Sequence, residues 1–361
     1  MPNAPLMSNR RRFLAGAITS ALGAALTHGA ETGAFTVEDQ QPFRGQTRRL
    51  KINCGGGPVA SLLFPTDYPT HFRLKPELHQ VCTPGGVPVT GSHEFSFIHH
   101  QSIMCGHGRV QADGDERVID FYRQLPFPDP DRADTWHAKS KNLFRLGPSG
   151  IQRVMEANWR VAGEVVIQLQ LAWQTRERGH EAGDTLALEE RLFRIVRRDQ
   201  AMIVDVFSQL KPAAHPLTLH PENDHGYLGV RVHELINVES GGVMRDSEGR
   251  TNATEHFRDA TGERRIPRWI DCTGRIGAAT VGMTLMSHPS NVRNEWYARE
   301  FGLMIVSAAQ SEAVRVTADL PFEFGARFVA HDGPISHAAA DALHADFATV
   351  SATQLRASLA V

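Results

Sequence analysis

The chain reads as a mainly β protein, a large antiparallel β-sandwich closed by a short C-terminal helix. Three observations predict this. Short runs of alternating or β-branched residues recur from about Arg48 onward, broken repeatedly by Gly, Pro, Asn and Asp. No strand–helix–strand rhythm appears, which argues against a parallel α/β sheet. The one convincing helical pattern lies at the end, where SHAAADALHADFATVSATQLRASL places Ala, Leu and Phe at helical spacing.

Taken in order, the N-terminus carries Arg10, Arg11, Arg12, Phe13 and Leu14 ahead of the weakly apolar AGAITSALGAAL. A basic start, a short apolar stretch and then small residues mark an export signal. The order Arg-Arg-x-Phe-Leu resembles the twin-arginine type, an address read by the twin-arginine export machinery and not an anchor. Residues 1–34 are therefore expected to be a signal peptide, cut after Ala30 or Ala34, with the mature protein periplasmic or secreted. The mature chain holds no apolar run long enough to span a bilayer as a helix. In an oxidising compartment Cys54, Cys82, Cys105 and Cys272 could pair, although their spacing does not say how.

A single β-sandwich domain is expected over residues 45–335. Its strands are read at 48–65 and 94–104, at 117–121, and at 150–159 and 164–173. Others are read at 185–196, 202–210, 226–235, 280–286, 302–308 and 323–330. Within 164–173, EVVIQLQLAW alternates as a half-buried antiparallel strand does. Residues 126–135 and 241–267 read as long loops, the places where a rigid β scaffold tends to carry binding groups. Residues 336–361 form the helical or loose tail.

With 38 Lys and Arg against 40 Asp and Glu, the formal charge is −2, which excludes a strongly basic nucleic-acid binder. Histidine stands out, at 18 copies. His93, His99, His100 and His107 form the densest cluster. On a strand, His99 and His100 would point to opposite faces unless a turn intervenes. A second cluster, His220, Glu222, Asp224 and His225, leads into the strand LGVRVHEL, and its alternative reading is an ordinary polar turn. The third runs from His288 through Asn291, Arg293 and Trp296 to Arg299. It has the composition of a polar rim with an aromatic platform, suited to a sugar. No GxSxG motif, P-loop or dinucleotide-binding glycine motif in a strand-to-helix setting is present.

These pieces, in this order, resemble the uncharacterised bacterial family labelled methane oxygenase PmoA-like. The resemblance rests on CTPGGVPVT (Cys82–Thr90), HHQSIMCGHGRV (His99–Val110), VIDFY (Val118–Tyr122) and GYLGVRV (Gly226–Val232). It continues through PRWIDCTGRIG (Pro267–Gly277), HPSNVRNEWYAREFGL (His288–Leu303) and LPFEFGARFVAHDGPI (Leu320–Ile335). This chain departs from the family at Gln101, where the family has Arg, and at Tyr297, where it has His. What the resemblance implies is a secreted β-rich protein, with a large sandwich like those of the aldose epimerases, in carbohydrate-processing company. Methane oxidation is not expected, because no helix spans a membrane.

The expected activity is an epimerase, mutarotase or lyase acting on a carbohydrate or glycoside. His99, His100, His107, His225 and His288 are the acid–base candidates, and Asp224 is the orienting acid. Arg231, Asn291, Arg293, Trp296 and Arg299 would grip a saccharide substrate. No cofactor is required by this reading. A second reading is a multi-His metal-dependent oxidoreductase or lyase, with a divalent metal drawn from His99, His100, His107, His225 and His288. A third is a non-catalytic sugar-binding module. The first reading expects His99 or His100, His107, His288, Arg293 and Trp296 to line one concave surface.

Overall fold

In the computed structural model the described residues are 33–41, 47–65, 74–92, 99–123, 149–176, 182–222, 226–252 and 266–360. Residues 1–32 of the expected signal peptide, the whole 126–135 loop, His93, Glu94, Asp224 and His225 lie outside them.

The strands are β1 (Phe35–Gln40), β2 (Arg49–Cys54), β3 (Gly57–Leu63), β4 (Glu77–His79), β5 (Ile103–Cys105), β6 (Val110–Ala112) and β7 (Gly150–Val161). Then come β8 (Val165–Arg176), β9 (Ala182–Arg198), β10 (Ala201–Pro212), β11 (Leu217–Leu219), β12 (Leu228–Arg231) and β13 (Val243–Asp246). The last are β14 (Trp269–Ile276), β15 (Ala279–Ser287), β16 (Glu295–Arg299), β17 (Leu303–Ser307), β18 (Val314–Val316) and β19 (Phe322–Asp332). Helices α1 (His337–Phe347) and α2 (Ala352–Leu359) follow. The first sheet runs β1-β2-β3-β4-β5-β12-β17-β16, the second β13-β14-β15-β19-β10-β9-β8-β7, and a small third one β18-β11-β6. All pairings between these strands are antiparallel. The protein is thus mainly β, with short helices at its C-terminus.

Alternation along the strands sorts side chains into three layers. On β10, Met202, Val204 and Val206 enter the central core, together with Met304 and Val306 of β17. Their neighbours Ile203 and Phe207 face the other way, into a second apolar layer with Ala340, Phe347 and Leu355 of the helices. Leu303 and Ile305 of β17 turn outward on the first sheet, into a third cluster with Met104 and Tyr122. Because α1 and α2 cover the second sheet, β10 is buried on both faces and shows nearly continuous burial in place of alternation.

Polar groups hold the helices to that sheet. Ser336 and Ser351 cap α1 and α2, the latter in a capping box with Gln354. Arg327, fully buried on β19, donates to Asp205 Oδ1 at 2.6 Å, to Asp346 Oδ2 at 2.8 Å and to the Leu343 carbonyl at 2.8 Å. A charge taken out of water requires such partners.

Three details differ from the sequence reading. β1 lies ahead of residue 45 and pairs along its whole length with β2. The strand expected at 117–121 makes only isolated bridges, Val110 with Ile119 and Asp120 with Ser149. The reason is local: Asp120 Oδ1 accepts the N–H groups of Tyr122 and Arg123, both at 2.8 Å, and turns the chain. The four cysteines are buried and free.

Candidate active site

The outer face of the first sheet concentrates polar side chains that are buried or half-buried. Register places them. Arg231 on β12 and Arg299 on β16 both stand opposite Leu303 of β17, so both share its outward face. Tyr297 stands opposite Ile305, and Glu77 on β4 opposite Met104 of β5, on that same face. The segment His99–Ser102, which leads into β5, adds two imidazoles. His99 and His100 are 8% and 3% exposed, and their ring centroids lie 4.3 Å apart at an interplanar angle of 72°. The turn at His99 lets sequential histidines meet, where a regular strand would have sent them to opposite faces.

Phe301, in the turn between β16 and β17, is the centre of the group. His100 stacks on it at 5.6 Å and 14°. The guanidinium carbons of Arg231 and Arg299 lie 4.8 Å and 5.8 Å from its ring centroid. Arg299 also donates to the Tyr297 hydroxyl at 3.4 Å. On the other side, Tyr122 approaches His99 edge-on at 6.1 Å. Glu77 is fully buried and accepts the Ser102 N–H at 3.4 Å, with His79 Nδ1 3.6 Å away. The side-chain amide of Gln101 is buried and finds no hydrogen-bond partner among the described residues. Leaving such a group unmade costs about 1–3 kcal/mol, a strain typical of functional sites.

Four of the residues expected from sequence therefore come together: His99, His100, Arg231 and Arg299. The others do not. His107 is fully buried and turns toward β11, where Nε2 meets the His220 carbonyl at 2.8 Å. Burial pushes its imidazole down to about 4. Trp296 is 4% exposed and lies in the central core, because on β16 it alternates with the outward Tyr297. Arg293 braces the 308–313 turn, donating to the Ala308 carbonyl and the Glu312 carboxylate, both at 2.8 Å. His288 and Asn291 follow β15 of the second sheet and sit on its outer face, under the helices. Asn291 both donates to and accepts from the Gly325 backbone, at 2.9 and 2.7 Å. They border a separate cavity of about 200 Å³, closed by Ser351–Thr353 and Arg356 of α2.

The expectation of one surface holding His99, His107, His288, Arg293 and Trp296 is thus not met. Two sheets and the core lie between the His99–His100 pair and His288. The same separation breaks up the histidine set of the metal reading, and among the described residues no three His, Cys, Asp or Glu side chains converge as ligands. Sequence reasoning passed over Lys75, Glu77, Tyr122 and Phe301. Gln101 and Tyr297 carried a signal, as departures from the family pattern.

The chain is similar, among solved structures, to a galactose mutarotase-like protein from Lactobacillus casei, at 5% identity and a TM-score of 0.34. That match covers 82% of this chain and 100% of the other. It is similar to an aldose epimerase homologue from C. elegans, at 8% identity and a TM-score of 0.30, covering 84% of this chain and 100% of the other. A protein from the human microbiome described as a kojibiose phosphorylase is similar at 6% identity and a TM-score of 0.30. There the match covers 90% of this chain but 30% of that one, so the chain spans less than a third of its length. No curated protein matches the sequence. A family model matches residues 49–345, and the chain accordingly belongs to the family of unknown function DUF6807.

Proposed function

We propose that the protein is a carbohydrate-processing enzyme of the epimerase, mutarotase or lyase type, reacting on the outer face of the first sheet. The observation that carries this is the buried His99–His100 pair, seated between Tyr122 and Phe301 with Arg231 and Arg299 alongside. Each neutral imidazole offers one donor and one acceptor nitrogen, so two neighbouring rings can give one proton and take another. Opening a cyclic sugar needs that combination. A base removes the anomeric O–H proton, the bond from the anomeric carbon to the ring oxygen breaks as the exocyclic oxygen becomes the carbonyl of an open aldehyde, and an acid protonates the departing ring oxygen. Reclosure after rotation returns both protons and inverts the anomeric centre. Aromatic faces suit the apolar side of a sugar, and the guanidinium forks suit its oxygens.

The test is anomer and epimer exchange on a panel of aldoses, uronates and glycosides, followed by polarimetry and NMR. The wild type should accelerate at least one, and His99→Asn or His100→Asn should each cost roughly 10²-fold or more, the usual scale of general acid–base catalysis. Sugar binding without turnover would replace the enzyme by a binding module. Turnover unaffected by either substitution would remove the pair from the reaction.

A further inference from the structure

Lys75 was not singled out by any sequence pattern, yet it stands behind the histidine pair. It precedes Pro76, which restricts it to extended backbone and leads the chain straight into β4. Its side chain is fully buried. Nζ donates to the His99 carbonyl at 3.3 Å and to the Tyr122 carbonyl, and lies 4.5 Å from the centroid of the Tyr122 ring. Those two carbonyls belong to segments separated by β5 and β6, and the side chains that follow from them are the ones that touch, His99 against Tyr122. Burial pushes the ammonium down to about 7, against the pull of the Asp120 and Glu77 carboxylates. The contact survives either protonation state, since a neutral amine still has two N–H groups for two carbonyls.

We propose that Lys75 is a positioning residue, which by bridging the main chains of His99 and Tyr122 sets the edge-to-face angle of the His99 and His100 rings and the seat of His100 on Phe301. This rests on the reading of that pair as the reacting groups. A lysine that only filled space would support stability without governing the rings.

The experiment follows the imidazole ¹H–¹⁵N resonances of full-length protein labelled at histidine, with His99→Asn and His100→Asn spectra for assignment. Lys75→Met removes both hydrogen bonds. Lys75→Gln keeps an N–H₂ group that ends one bond short, and so loses at least one of them. Both substitutions should displace the His99 and His100 resonances, Met more than Gln, while the exposed His337 ring stays in place. Where Lys75→Met fails to fold, Lys75→Gln is read alone. Unmoved His99 and His100 resonances in a folded variant, with only a lower melting temperature, would overturn the proposal. The readout needs no substrate: a wild type inert toward every sugar would defeat the carbohydrate reading and leave this one standing.

Discussion

Replacing His288 by Ala tests whether the most distinctive histidine motif of the chain serves chemistry or architecture. The ring is 6% exposed and committed at both nitrogens. Nε2 lies 3.1 Å from the Val350 carbonyl, which can only accept, so this nitrogen carries the proton. Nδ1 then accepts from the Ser290 N–H at 3.2 Å and hydroxyl at 2.6 Å. Phe207 and Phe347 meet the ring edge-on at 5.3 and 4.7 Å. Hydrogen bonds of this kind are worth about 1 kcal/mol each, and edge-on aromatic contacts about 0.5–1.5 kcal/mol each. The Ala variant should therefore lose roughly 4–6 kcal/mol of unfolding free energy. Urea unfolding followed by circular dichroism measures the loss. Faster amide exchange in the Ala348–Ser351 link between the helices would locate it, since the Val350 carbonyl loses its donor. The folded fraction should keep its activity. Stability within about 0.5 kcal/mol of the wild type, the usual range for a surface change, together with lost turnover would refute this reasoning and return His288 to the reacting site.

Acid should destabilise the fold in a defined window. Burial holds His107, His288 and His344 below their ordinary value, so the unfolded chain binds protons that the folded one does not, and stability falls as pH drops through 6.5. For His107, lowered from 6.5 to about 4, the loss between those values is roughly 3 kcal/mol at 1.36 kcal/mol per tenfold change. Urea midpoints from pH 8 to 4 should show it, and His107→Gln should flatten the profile; an unchanged slope would exclude His107 as its source. His331 works in the opposite sense: its Nε2 lies 2.9 Å from buried Asp271, its imidazole is held above the ordinary value, and its contribution fades as pH rises through that raised value. Export is expected to depend on the opening arginines. Arg10→Lys with Arg11→Lys should retain the protein in the cytoplasm, and unchanged fractionation would reject the twin-arginine reading.

Much of the architecture was legible because β structure writes a short period into the chain. The strands β7, β8, β9, β15, β17 and β19 were read near their observed positions, since one face of each meets apolar neighbours and turn residues bound them. The terminal helical pattern was also visible, although Ser351 starts a second helix within it. The candidate site was legible only in part. His99, His100, Arg231 and Arg299 drew notice as charged or imidazole groups next to strands. Lys75 and Glu77 did not, because RLKPELH looks like any short polar-apolar run.

By itself the sequence determined the local preferences: where strands alternate, where the chain turns, and which residues can carry protons or charge. Which of those residues meet was decided only by the tertiary structure. Pairing β12, β17 and β16 brings Arg231 and Arg299 to the two sides of Leu303 from positions far apart in the chain. Membership of β15 in the other sheet carries His288 to the opposite face. The physical reason lies in the two-residue period of a strand, which says that neighbours face opposite sides but not which side meets a partner sheet, a helix or an open cleft. That choice follows from long-range pairing and from what covers each face.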